Sequence, residues 1–204
     1  MDQPGYDALA DVYAETFPTP YQGALERCAI DLFVDDVRAH ARAGLVIDIG
    51  SGVGHVTADL TTRGLDVVGV EPSAGMRALA VAGHPACTFL EDDAYLHRDA
   101  AALNCAALLA RYSLIHVSPE EIPHVLGMWA ARLAPGSPVL VAFQSRDDPG
   151  VVEFDHRVAR AWRWYPDDLA HTFAASNFDE VWRMVSRPDT ARRFPETQML
   201  LRRR

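Results

Sequence analysis

The segment Val46-Ile47-Asp48-Ile49-Gly50-Ser51-Gly52-Val53-Gly54-His55 constrains this chain more than any other stretch. An apolar run suited to a buried strand passes directly into a turn with glycine at alternate positions. Val56-Thr57-Ala58-Asp59-Leu60 then follows and can open a helix. Alternating glycines let the backbone bend sharply and let a ligand approach with no Cβ in its way. A helix N-terminus just past the turn offers free N–H groups to a negatively charged or polar ligand group. The segment therefore predicts a nucleotide-type site at the end of a first parallel strand.

The glycine spacing restricts the ligand. A dinucleotide fingerprint requires G-x-G-x-x-G; here Gly50, Gly52 and Gly54 give G-x-G-x-G, and residue 55, where the third glycine belongs, is histidine. A phosphate-binding P-loop needs a lysine, and all 19 Lys and Arg residues of this chain are arginine. Downstream, Val67-Val68-Gly69-Val70-Glu71-Pro72-Ser73 reads as a second strand ending in an acid. Glu71 is placed either to accept hydrogen bonds from a ribose diol or to complement the positive end of the next helix.

At 204 residues and 49% hydrophobic composition the chain suits a single domain with a full core. Its net charge of −9 argues against a nucleic-acid surface, which needs a basic stripe, and Arg202-Arg203-Arg204 is a small exception at the end. Cys28, Cys87 and Cys105 have no metal-ligand spacing and their odd number points to reduced thiols, hence a cytoplasmic protein. The N-terminus has no secretory pattern, and no apolar run reaches the ~18–20 residues of a membrane span.

Two amphipathic stretches open the chain, about 6–16 and 21–42, separated by Phe17-Pro18-Thr19-Pro20-Tyr21. In the second, Ala24, Cys28, Leu32 and Val37 recur at near-helical spacing. Strands are expected near 45–49, 66–71, 88–90, 106–110 and 138–143, with helices between them. One of these helices is expected over 119–133, capped by Ser118, with Pro119 in its first turn. The alternation predicts an α/β, doubly wound, mostly parallel sheet with helices on both faces. Residues 145–165 show no clear period. A helix over 166–176 and strands at 180–185 and 198–201 close the chain.

The run Asp48-Ile49-Gly50-Ser51-Gly52-Val53-Gly54, followed by the strand ending in Glu71, resembles the first motifs of the class I S-adenosylmethionine (SAM) methyltransferases. The resemblance covers about residues 45–144 well and the last third more loosely. It implies a Rossmann-like seven-stranded sheet ending in an antiparallel hairpin. It also implies one domain over 1–204, with an N-terminal helical cap over 1–42 and a substrate-side insertion over 145–165. The implied activity is methyl transfer from SAM, with S-adenosylhomocysteine as product, to an O, N or C atom of a small molecule, a bacterial secondary metabolite being the expected acceptor. The protein is expected to be a monomer or homodimer without nucleic-acid or membrane partners. Relatives of this fold also cyclise or isomerise metabolites, so a non-methylating role stays open. A nicotinamide oxidoreductase is disfavoured by the glycine spacing.

The same resemblance implies the site residues. Asp48 would hold the methionine amino group or a water. Gly50, Gly52 and Gly54 form the cradle, and Glu71 with Pro72 meets the ribose. Asp93 and Ala94, in Glu91-Asp92-Asp93-Ala94, match the position that contacts the adenine edge, although Asp92 stands where glycine is usual and the register can slip by one. Met76 packs either on adenine or in the helix core. In Ala110-Arg111-Tyr112-Ser113-Leu114-Ile115-His116, His116 keeps the second His of a common Leu-His-His pattern. It is either a general base for the acceptor or a structural group. Arg111 is placed to bind the SAM carboxylate or an acidic substrate, or to tie down a loop. Substrate candidates are Tyr13, Tyr21, Tyr112, His156 and Trp162, with Phe17, Phe154, Arg157 and Trp164 near them in sequence. Asp147 and Asp148 follow the fifth strand, but the fourth ends in Arg111, so no metal is expected.

Overall fold

The computed structural model describes residues 5–190 and 192–204; Met1–Pro4 of the expected cap lie outside the described residues. Nine strands and seven α-helices succeed one another: α1 (Gly5–Ala8), α2 (Ala10–Thr16), α3 (Ala24–His40), β1 (Leu45–Ile49), α4 (His55–Thr62), β2 (Val67–Val70), α5 (Ala74–Gly83), β3 (Thr88–Leu90), β4 (Cys105–Arg111), α6 (Ile122–Arg132), β5 (Pro138–Gln144), β6 (Val151–Phe154), β7 (Ala161–Trp164), α7 (Pro166–Ala175), β8 (Phe178–Ser186) and β9 (Glu196–Arg203). Seven strands form one sheet in the order β3-β2-β1-β4-β5-β9-β8. The first five run parallel, and β9 turns antiparallel against β5 and pairs with β8. This is the expected doubly wound sheet with its terminal hairpin.

Both faces of the sheet are buried, so its central strands are apolar nearly throughout, Asp48 of β1 being the charged exception. On β1, β4, β5 and β9 successive side chains go to opposite cores, as strand geometry demands. Ile47, Leu108, Val141 and Met199 face α6 and α7, where Trp129 and Phe173 are fully buried. Val46, Leu109, Leu140 and Leu200 face α3, which contributes Ile30, Phe33 and Val34. Burying each such large side chain contributes about 1.5–3 kcal/mol.

Several expectations need correction. Helix α3 exists, but its buried face is Ala29, Ile30, Phe33, Val34 and Val37, whereas Ala24, Cys28 and Leu32 look outward. Composition within the stripe decided this, because four positions at helical spacing cannot say which side meets the sheet. The stretch 6–16 is two helices, broken at Leu9, whose φ of −115° is not helical. Helix α6 begins at Ile122, not at Pro119. Pro123 has no N–H to bond the Pro119 carbonyl, so residues 118–121 close as a turn, with Glu121 N–H donating to the Ser118 carbonyl at 2.9 Å. Residues 145–165, which show no period in sequence, hold the antiparallel ribbon β6–β7. With strands of only four residues each, that ribbon is too short for periodicity to register.

Candidate active site

The glycine turn leaves β1 where its neighbours β2 and β4 carry chain connections in opposite directions, the crevice at which open α/β sheets bind ligands. Gly50, Gly52 and Gly54 all have left-handed φ, at 69°, 56° and 83°, which a Cβ disfavours. Their surroundings separate their roles. A Cβ on Gly50 would sit 2.4 Å from the Ser113 Cβ, and one on Gly54 would sit 2.5 Å from Phe89 Cζ. A Cβ on Gly52 would meet nothing nearer than Tyr13 Cε1 at 4.0 Å. Gly50 and Gly54 let the protein pack on the turn, and Gly52 faces open space. Ser113 secures the crevice by donating its hydroxyl to the Ile49 carbonyl at 2.6 Å.

Two buried acids flank the turn. Glu71 follows β2 and is 6% exposed. It accepts the Gly52 N–H at 2.8 Å on one carboxylate oxygen and the Ser73 N–H at 2.8 Å on the other. Each oxygen keeps a second lone-pair direction. Burial raises its pKa, and the two backbone donors oppose that rise. Asp48, 3% exposed, accepts the Thr57 hydroxyl at 2.7 Å. Burial pushes its pKa up to about 6 against the Thr57 bond and the Arg111 charge. The loop after β3 divides its acids between structure and edge. Asp92 is fully buried and accepts the N–H groups of Arg98 and Ala100 at 3.0 Å each. Asp93 stays half-buried, accepting the Tyr95 N–H at 2.9 Å. The Ala94 carbonyl takes the Trp129 indole N–H at 2.7 Å.

The N-terminal helices close over this end of the sheet. Asp7 accepts the Ser73 hydroxyl at 2.7 Å and the Gly75 N–H at 2.9 Å, latching α1 to the first turn of α5. Met76 is 1% exposed and packs with Ala10 and Val53 beneath Tyr6 and Tyr13. On the other side the Gly5 N–H donates to the Val158 carbonyl at 3.0 Å, so α1 bridges the first turn of α5 to the β6–β7 ribbon. Tyr6, which the sequence reading did not single out, meets His116, its hydroxyl 2.9 Å from Nε2. The other ring nitrogen, Nδ1, lies 2.7 Å from the Arg160 carbonyl. A carbonyl only accepts, so Nδ1 carries the proton, Nε2 is bare, and Tyr6 donates to it. Burial holds the His116 pKa down at about 4, with His156 adding to the effect. Burial raises the Tyr6 pKa, helped by Tyr13 and Glu71. His156 stands next to both, 5.0 Å from the His116 ring.

The remaining predicted residues scatter. Arg111 donates to the Pro20 carbonyl at 3.1 Å and to Glu26 at 2.6 Å, with both charged side chains nearly buried, so it ties β4 to the N-terminal segment. Its Nε is buried without a partner. Tyr21 is buried in the α3-side core with its hydroxyl on Asp59 at 2.6 Å. Tyr112, at φ 54°, donates to Glu196 at 3.1 Å. Trp162 and Trp164 are buried, 9% and 7% exposed, whereas Phe17 is 37% exposed. Arg157 and Pro72 are exposed. Tyr13 is the predicted aromatic that faces the turn. Asp92, Asp93 and His97 bring potential ligand atoms within 4.8 Å of one another, but three backbone N–H groups already occupy Asp92. No helix among the described residues is long and apolar enough to cross a membrane.

A doubly wound sheet, a left-handed glycine cradle and a buried acid at the end of the second strand define the class I SAM-binding methyltransferase architecture. Residues 20–185 match the methyltransferase domain family, and the chain belongs to it. An uncharacterized methyltransferase of Geobacillus kaustophilus is 26% identical over 170 residues, covering 82% of this chain and 76% of that protein. One from Oceanobacillus iheyensis is 28% identical over 90 residues, 44% of this chain and 42% of its own length. Among solved structures, the CcbJ methyltransferase of Streptomyces caelestis superposes with a TM-score of 0.70 at 20% identity, over 100% of this chain and 99% of that one. The Burkholderia thailandensis 1,6-didemethyltoxoflavin-N1-methyltransferase, with S-adenosylhomocysteine and 1,6-didemethyltoxoflavin bound, gives 0.67 at 20% identity, over 100% and 93%. At these identities the structural likeness concerns the fold.

Proposed function

We propose that the protein transfers a methyl group from SAM to an O, N or C atom of a small molecule held beneath the α1–α2 cap. The observation that carries this reading is the coupling of Glu71 to the Gly52 N–H beside an open Gly52. A buried carboxylate with spare lone pairs suits a ribose diol, and an unobstructed glycine suits a ligand running across the turn. When bound, SAM supplies a methyl on its sulfonium. Asp48, ionised above pH about 6, suits the ammonium of the methionine part. Gly50, Gly52 and Gly54 shape the turn and Glu71 takes the ribose, beside Pro72. Met76, Asp93 and Ala94 border the adenine position, and Arg111 contributes its charge near Asp48 while holding the cap segment.

On the acceptor side, Tyr6, Tyr13, His116 and His156 form an aromatic wall. His116 is neutral at working pH, and its Nε2 lone pair takes the proton of an acceptor hydroxyl or amine. That proton arrives either directly, once Tyr6 gives way, or through the Tyr6 hydroxyl. A base with a pKa of about 4 is weak, so orienting the acceptor and excluding water carry most of the rate. Tyr112 and Trp162 pack in the core that holds Leu114 and Ile115, behind His116, and the free thiols of Cys28, Cys87 and Cys105 suit a cytoplasmic location. Calorimetry with S-adenosylhomocysteine tests the cofactor reading: saturable binding in the micromolar range supports it, and no binding removes it.

A further inference from the structure

From His116 a line of rings continues outward along the β6–β7 ribbon. His156 lies 5.0 Å from His116, Phe154 lies 5.6 Å from His156, and Phe194 lies 5.4 Å from Phe154, centroid to centroid. Arg163 stands at the end of the line, its guanidinium 3.9 Å from the Phe194 centroid and 6.0 Å from that of Phe154.

Among the described residues no carboxylate forms an ion pair with Arg163; its charge is met by the two phenylalanine faces and, at longer range, by Asp155. Among the described residues the guanidinium makes one long hydrogen bond, from Nη1 to the Ser145 carbonyl at 3.5 Å. Its Nε is buried with no partner, and so is the hydroxyl of the fully buried Ser145. Asp155, the carboxylate whose charge reaches Arg163, is engaged by Arg193 at 2.7 Å. Burial and the positive charges of Arg146 and Arg193 lower the Arg163 pKa, with Asp155 opposing them. A partly buried cation among cations, with its buried Nε left without an acceptor, gains from a counter-charge that also takes that N–H. A guanidinium answers a planar carboxylate best, because its N–H fork matches both oxygens.

We propose that Arg163 anchors a carboxylate of the methyl acceptor, a flat aromatic acid whose ring lies along Phe194, Phe154 and His156 and whose reacting group reaches His116. This inference rests on the methyl-transfer reading of the site.

The test compares 4-hydroxybenzoate with its neutral analogue 4-hydroxybenzamide, titrated calorimetrically into the full-length protein with and without saturating S-adenosylhomocysteine. The wild type should prefer the acid by at least about tenfold, the size of one charge-assisted contact. Arg163→Gln should abolish that preference with S-adenosylhomocysteine affinity unchanged. Arg163→Lys, which keeps the charge and loses the fork, should retain part of it and decides the matter if Arg163→Gln does not fold. Equal affinity for acid and amide, a preference that survives Arg163→Gln, or no binding of either compound up to about 10 mM, well past the reach of a weak specific site, overturns the proposal. Failure of S-adenosylhomocysteine to bind would instead remove the methyl-transfer reading, and the titrations without it still decide whether Arg163 holds an acid.

Discussion

Gly52 and Gly54 lie two residues apart in one turn and share a left-handed backbone, yet alanine should act on them differently. At either position a Cβ in this conformation costs about 1–2 kcal/mol. At Gly54 the new methyl also falls 2.5 Å from Phe89 Cζ and 3.1 Å from the Ala80 Cβ, and such overpacking adds about 1–3 kcal/mol. The sum for Gly54→Ala is about 2–5 kcal/mol. For a chain of this length that lowers the melting temperature by about 4–20 °C. Gly52→Ala meets only Tyr13 at 4.0 Å, so its melting temperature should fall by no more than about 2–8 °C. Its methyl projects instead into the proposed cofactor path, and S-adenosylhomocysteine affinity should drop by more than about tenfold, or 1.4 kcal/mol. Thermal melting and calorimetry on the two purified variants separate these effects. If Gly52→Ala binds S-adenosylhomocysteine like the wild type, the ligand does not cross this glycine and the cofactor assignment fails. If Gly54→Ala melts no lower than Gly52→Ala, the packing argument is wrong.

Glu71→Ala should weaken S-adenosylhomocysteine binding by at least about tenfold, since a hydrogen bond to a charged group contributes about 1.5–3 kcal/mol; it should also lower the melting temperature, because the Gly52 and Ser73 N–H groups lose their acceptor. A variant with unchanged affinity would show that Glu71 only braces the turn. Glu26→Ala leaves Arg111 nearly buried and without its carboxylate, and should cost about 3–5 kcal/mol of stability by chemical denaturation; a loss under about 1 kcal/mol would place the pair with ordinary surface bridges. The folded-state pKa of His116, about 4, lies below the ordinary value for a free histidine, so this group stabilises the fold above pH ~6.5 and loses that contribution as pH falls through about 4. His116→Gln should therefore melt with a flatter pH profile between those limits, and a parallel profile refutes the assignment. Wild-type turnover, once an acceptor is found, should not decline between pH 8 and 6 through His116, whereas His116→Ala should slow it by about 10²-fold or less.

The strand that runs into Gly50-Ser51-Gly52-Val53-Gly54, the acid at Glu71 and the alternation of strands and helices are local patterns. Periodicity and glycine spacing act over a few residues, so the parallel sheet and the location of the crevice were legible in the chain, whereas the terminal hairpin was implied by the resemblance to the methyltransferase family. The side of α3 that meets the sheet was not legible, because Ala24, Cys28 and Leu32 repeat as regularly as the buried Ala29, Phe33 and Val37. Nor were the partners of the polar groups. Arg111 reaches Glu26 across 85 positions, Tyr6 reaches His116 across 110, and Asp7 reaches Ser73 across 66. No local rule anticipates such pairings, since they exist only after the helices have docked and brought distant side chains to one end of the sheet. The same holds for Arg163: an arginine between two tryptophans carries no signal in the chain, and only the packing of the β6–β7 ribbon against Phe194 and Ser145 leaves its charge without a carboxylate.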